Sequence, residues 1–188
     1  MHRFEKKKKM FIYLFLVIYL AMLVYFMFFG FGRPHNIEIR EYRYSLIPTS
    51  IPLWLPKHFT FDILLLWIFA IGNLLAFVPF GILVPMVFEK RIKTYFKFIV
   101  IFVCFILCLE IVQMVTYLGS FDTTDILVNS MGATIGFISY KVSKRMNTLT
   151  TFSISIGMSI TGLFLLMFLV AWVFNNTITP FIEKIIVL

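Results

Sequence analysis

Charge is scarce in this chain. Only 14% of its 188 residues are charged, nine of them acidic, with three histidines and two cysteines. Each shortage excludes something. His2, His35 and His58 all lie outside the apolar runs, so there is no His-Glu-x-x-His on a helix, and no Gly-x-Ser-x-Gly supplies a nucleophile elbow. Cys104 and Cys108 lie within one apolar stretch without zinc-type spacing to histidine, and read as small core or lipid-facing residues. No metal site and no cofactor are expected. The sequence also lacks repeats of obvious period and any low-complexity tract.

What is present is apolar. Hydrophobic residues make up 61%, Phe alone contributes 24, and the mean hydropathy is +0.95. Soluble domains carry roughly 45–50% apolar residues, so the excess requires a lipid bilayer as solvent. The sequence predicts an all-α, polytopic membrane helix bundle of about five transmembrane helices, one domain over residues 1–188. The expected spans are 10–29, 63–88, 98–118, 125–140 and 152–174, with one sizeable loop over 30–61. The first run follows Lys6 to Lys9 as in a signal peptide. It is long for one, however, and Phe28-Phe29-Gly30-Phe31 is a poor processing site, so a retained helix is expected.

The net charge of +8 would suit nucleic acid in a soluble protein. Here Lys and Arg sit in short loops between apolar spans, where they set orientation, and no nucleic-acid partner is expected. With the N-terminus inside, twelve of the 17 basic residues fall in cytoplasmic segments and five (Arg33, Arg40, Arg43, Lys57 and Lys184) fall outside. The reading is N-in, C-out. The outside loop holds Ile51, Trp54 and Leu55 among Pro48, Pro52 and Pro56. It is expected to lie on the membrane surface or to fold over the bundle.

Polar side chains within the spans are few and grouped. Asn73 lies in span two, Glu110 and Gln113 in span three, and Asp122, Asp125 and Asn129 at the start of span four. Glu110 and Gln113, three apart, share one side of their helix. Asp122, Asp125, Asn129, Gly132 and Gly136 step by three and four, a single stripe that is polar at its outer end and glycine further in. Helical rise puts Glu110 about 12 Å, Asn129 about 6 Å and Asn73 about 15 Å below the outer boundary. A polar pocket opening outward or to the outer leaflet follows. Asn73, Gln113 and Asn129 could equally be interhelical hydrogen-bond glue, and Asp122 and Asp125 could be helix caps. Glu110 must be protonated, hydrated or paired with a basic residue of the outer loop. Pro79, Gly81 and Pro85 predict a kink or break in span two.

At these residues the chain resembles the VanZ-like family of bacterial membrane proteins. The resemblance rests on Asn73 through Gly81 with Pro85, on Glu110 with Gln113, and on Asp122, Asp125, Asn129, Gly132 and Gly136. Two places depart from the family pattern. Gly119-Ser120 stands where an arginine is common, and Thr124-Asp125 where two acids are common. The resemblance implies an envelope protein; the family's namesake is linked to low-level teicoplanin resistance without altered peptidoglycan precursors.

Two functions follow. One is binding of an amphiphile at the outer leaflet, a lipid-linked cell-wall precursor or a lipoglycopeptide, with Arg33, Arg40 and Arg43 meeting head groups and Asn73, Glu110, Gln113, Asp122, Asp125 and Asn129 lining the pocket. The other is a membrane enzyme acting on a lipid-linked substrate through Glu110 and Asp122 or Asp125. A transport path would need polar residues through both leaflets, and the inner half is almost wholly apolar.

Overall fold

The computed structural model describes residues 2–30, 41–48, 50–53, 60–146 and 148–186. Five long helices form the bundle: α1 (His2–Phe29), α2 (Phe61–Val87), α3 (Tyr95–Val115), α4 (Thr123–Ser143) and α5 (Leu149–Val173). A π-helical turn, Phe174–Ile178, leads from α5 into the short α6 (Thr179–Ile186).

Local sequence sets where these helices start. Thr60, Thr94, Asp122 and Thr148 occupy extended backbone, and the side chain of each accepts an N–H of the first turn. Thr148 and Thr151 complete a reciprocal capping box. Asp62 and Asp125 add negative charge near the positive helix ends.

Among the described residues, four segments are long and apolar enough to cross a bilayer: Lys9–Phe29, Phe61–Val87, Tyr95–Val115 and Leu149–Ile185. The protein is a multi-pass membrane protein. α4 is long enough, about 31 Å at helical rise, but less apolar, and the reason is its position. It lies inside the bundle, burying Thr124, Asn129, Gly132, Gly136, Ser139 and Ser143 against other helices rather than lipid. It runs alongside α2 in the same direction, with Gly132 against Leu74 and Gly136 against Val78. The α2–α4 pair thus divides the core. Leu16, Leu23, Phe77, Phe80, Phe98, Phe102 and Phe137 pack on the side of α1 and α3. Ile51, Leu53, Ala70, Leu74, Val128, Met167 and Ala171 pack on the side of α5.

Of the kink or break expected in α2, a break is not there: helix continues through both Pro79 and Pro85. A proline still loosens its preceding turn. There the Tyr19 hydroxyl of α1 donates to the Ala76 carbonyl at 2.6 Å, an additional bond across helices. Cys104 and Cys108 lie on the exposed surface of α3.

The basic connections gather at one end. Lys144 pairs with Glu89, Lys141 donates to the Lys93 carbonyl at 3.0 Å, and Lys9 is near enough to act on the Glu89 carboxyl. At the other end α1, α3 and α4 stop early. α2, and α5 with its π-helical turn, reach about 40 Å against about 31 Å for α3 and α4. Residues 41–48 and 50–53 fill the recess this leaves, where Ser45 pairs with Asp122 and Ile51 bonds Asn175.

Candidate functional site

Val115 ends α3, so Glu110 lies about 8 Å from that end at helical rise. Its side chain is 2% exposed, and its Oε2 accepts the backbone N–H of Asp122 at 3.4 Å. The Asp122 carboxylate in turn accepts the Thr124 N–H at 2.7 Å and caps α4. One acid therefore holds the start of α4 from below while the other caps it from within.

Three residues on, Asp125 faces α2. Asn73 Nδ2 donates to Asp125 Oδ1 at 3.4 Å, a contact between helices that only the parallel α2–α4 packing brings within reach. Asn129 sits one turn further along the same face. It is 2% exposed, and among the described residues its Oδ1 has no hydrogen-bond partner. Asn73, Asp125 and Asn129 thus share the α2–α4 seam, and Glu110 reaches the same corner through Asp122.

Gln113 goes elsewhere. It is buried, but its Nε2 donates to the Met27 carbonyl of α1 at 2.7 Å. That bond ties α1 to α3. Of the three arginines expected to meet head groups, Arg43 is exposed and its backbone carbonyl accepts the Phe121 N–H at 3.0 Å. Arg33 and Arg40 lie outside the described residues. Among the described residues no three His, Cys, Asp or Glu side chains come together as metal ligands.

The segment before α2 closes this corner. Tyr44–Ser45 (β1) pairs in parallel with Phe121–Asp122 (β2), Ser45 opposite Asp122. Thr123 Oγ1 donates to the Ser45 carbonyl at 3.0 Å, and Tyr42 stacks on Tyr117 with ring centroids 5.2 Å apart. Tyr117 itself has φ 59°, the left-handed conformation that turns the chain out of α3. Further along, Ile51 and Leu53 are buried. Asn175, in the π-helical turn, binds Ile51 from both sides: its Oδ1 accepts the Ile51 N–H and its Nδ2 donates to the Ile51 carbonyl, each at 2.8 Å.

Sequence reasoning missed Asn175, Ser45 and Thr123. The run Asn175-Asn176-Thr177 was a signal, since three polar residues interrupt an otherwise apolar end. Between the segment 44–48 and α6 lies a groove of about 310 Å³, lined by Tyr44, Ser45, Leu46, Ile47, Ile182 and Glu183 among others. Ser45 borders it on one side and pairs with Asp122 on the other. An apolar trough and an acidic corner are therefore neighbours across a single extended residue.

The sequence model of the family described as VanZ/LLP1 matches residues 15–144, from α1 into the end of α4. Protein VanZ of Enterococcus faecium is 37% identical over 78 residues, which is 41% of this chain and 47% of that protein. The match therefore spans about half the length of that relative. No solved structure matches. α5, the π-helical turn and α6 lie beyond the matched region.

Proposed function

The chain belongs to the VanZ/LLP1 family, and on that premise we propose that it binds an amphiphile at the outer leaflet of the bacterial cytoplasmic membrane. A lipid-linked cell-wall precursor or the lipid-bearing part of a teicoplanin-type glycopeptide has the required form, a polar head on an apolar tail. The observation that carries the reading is Ser45, which lines the apolar groove and pairs with Asp122 beside the buried Glu110. A tail in the groove would leave its head within reach of the acidic corner. Lipid-facing helices on either side give such a molecule lateral access without leaving the bilayer.

Orientation belongs to the same proposal. The basic connections at one end carry Lys90, Arg91, Lys93, Lys141, Lys144 and Arg145, and the positive-inside rule puts that end in the cytoplasm. Residues 41–48, residues 50–53 and Asn175 then face outward, N-in and C-out. Reporter fusions at residue 92 and at residue 188 would check this, with cytoplasmic activity at the first and external activity at the second.

The proposal predicts that deleting the gene changes sensitivity to lipid-bearing glycopeptides, and that a copy carrying Ser45→Trp, which fills the groove, fails to restore it. Unchanged sensitivity in a strain shown to make the protein would remove the reading.

A further inference from the structure

The end of the bundle away from the groove carries more positive charge than its own groups neutralise. Ile92 is buried in the core with Phe98 and Phe137 and pins the connection between α2 and α3. The N–H groups of Arg91 and Ile92 both donate to the Phe88 carbonyl at 2.9 Å. Lys90, Arg91 and Lys93 are thereby presented to solvent on a tight turn. α4 brings Lys141 to the same place. Its ammonium donates to the Lys93 carbonyl at 3.0 Å and stands 5.3 Å from the centre of the Phe137 ring. An ammonium has three N–H groups, so that bond leaves Lys141 free to donate further. The Lys93 side chain, whose carbonyl holds Lys141, is itself exposed. Close by, Lys144 pairs with Glu89, and Lys9 of α1 stands within electrostatic reach of the same carboxylate. Among the described residues, one carboxylate at this end thus faces three ammoniums, with the cations of the 90–93 turn in addition.

Fixed cations in surplus attract anions, and the neighbours of these cations say which kind. Tyr95 and Phe96 are exposed, Phe96 at 77%, at the start of an apolar span. Aromatic side chains at that level lie where membrane and water meet. Val100, one turn on from Phe96, is exposed too. Charge bordered by uncovered apolar surface fits a head group that carries tails, whereas a soluble anion would use the charge alone. We infer that the α3–α4 corner at this end binds an anionic phospholipid, its phosphate received by the ammoniums of Lys93 and Lys141 and its acyl chains lying along Phe96 and Val100. The site is at the opposite end of the molecule from the groove and stands or falls independently of the amphiphile proposed there.

The test uses the full chain in a neutral detergent, with lipid occupancy read by native mass spectrometry. Three probes are titrated: dioleoyl phosphatidylglycerol, dioleoyl phosphatidylcholine and glycerophosphoglycerol, which is the anionic head without tails. Phosphatidylglycerol should bind roughly tenfold more tightly than phosphatidylcholine, and Lys93→Gln should weaken it about fivefold. Lys93→Gln keeps the carbonyl that holds Lys141, so its unliganded Tm should match that of the natural chain. Lys141→Gln should weaken phosphatidylglycerol at least as much. Glu89→Gln should move the other way and tighten it, because a repelling charge is removed and Lys144 is released. Lys184→Gln, exposed on α6 at the other end, should change nothing. Equal binding of the two lipids would show that tails alone are read and would overturn the inference. A loss with Lys184→Gln equal to that with Lys93→Gln would reduce the effect to net charge and overturn it too. Unchanged affinity in Lys93→Gln and Lys141→Gln would remove the site. Occupancy by glycerophosphoglycerol equal to that by the intact lipid would show that a free phosphate suffices and would overturn the assignment to lipid.

Discussion

Gly81 of α2 and Gly136 of α4 meet backbone to backbone: a Cβ built on Gly136 would stand 2.9 Å from the Gly81 Cα, closer than real Cβ contacts come. The same contact seats Gly81 against Phe137, where an added Cβ would come 2.6 Å from the backbone nitrogen. In a bilayer, helices associate through close packing, since lipid tails are as apolar as leucine. The glycine seam is what lets α2 and α4 approach closely enough for Asn73 to reach Asp125.

Gly136→Ala and Gly81→Ala should therefore each lower thermal stability, by about 1–3 kcal/mol as overpacked substitutions do. Gly157→Ala on α5 is the control, because nothing lies within 4 Å of its added Cβ; its Tm should match the natural chain or slightly exceed it. Thermal unfolding of the three variants in one detergent checks the ranking.

Asn175 holds the segment before α2 through two hydrogen bonds to one residue, Ile51. Asn175→Leu should remove both and leave two backbone groups unmet, at about 1–3 kcal/mol each if no water reaches them. The expected sign is faster amide exchange at Ile51 and Leu53, with α1 and α3 unchanged. Hydrogen exchange read by mass spectrometry resolves the two regions.

Glu110 accepts the Asp122 N–H at the start of α4. Glu110→Gln keeps an acceptor of the same reach, so helix content should be retained and the Tm should shift little. Glu110→Leu removes the acceptor and should cost about 1–3 kcal/mol. The pair also tests chemistry: any turnover of a lipid-linked substrate that persists in Glu110→Gln excludes Glu110 as its acid or base.

At the opposite end, the Lys144 hydrogen bond holds the Glu89 carboxyl below the usual range for glutamate, with the charges of Lys144, Lys141 and Lys9 adding to it. A depressed folded-state pKa contributes stability above the unfolded value, and that contribution is lost as pH falls through the folded one. Both side chains are about half exposed, so the effect is screened and worth about 0.2–1 kcal/mol. Glu89→Gln should lower the Tm slightly at neutral pH and make no difference once pH falls below the folded-state value. Melting curves of both proteins from neutral to acid pH would show the two converge.

Much of the architecture was legible along the chain. Thr60, Thr94, Asp122 and Thr148 announce helix starts by side-chain chemistry alone, and the runs beyond them are apolar because lipid surrounds them. The α4 stripe of Asp125, Asn129, Gly132 and Gly136 was readable from spacing, and it is the face turned to α2. The fate of α2 at Pro79 was not legible, because whether a proline breaks a helix depends on its packing, here Tyr19 and the buried flanks of Phe77, Val78 and Phe80. Nor could spacing separate Gln113 from Glu110: both are buried on α3, yet one serves the Met27 carbonyl and the other the Asp122 amide.

The sequence by itself determined that the chain lives in a bilayer and how many long helices it forms, since hydropathy is a property of neighbours along the chain. Only the tertiary structure decided which polar groups meet. Asn73 with Asp125 and Ile51 with Asn175 are joined across 52 and 124 residues. Those distances are closed by backbone contact at Gly81, Gly132 and Gly136 and by the fill of the recess beside α5, and helix packing, unlike helix formation, is set by surfaces that the order of residues does not place side by side.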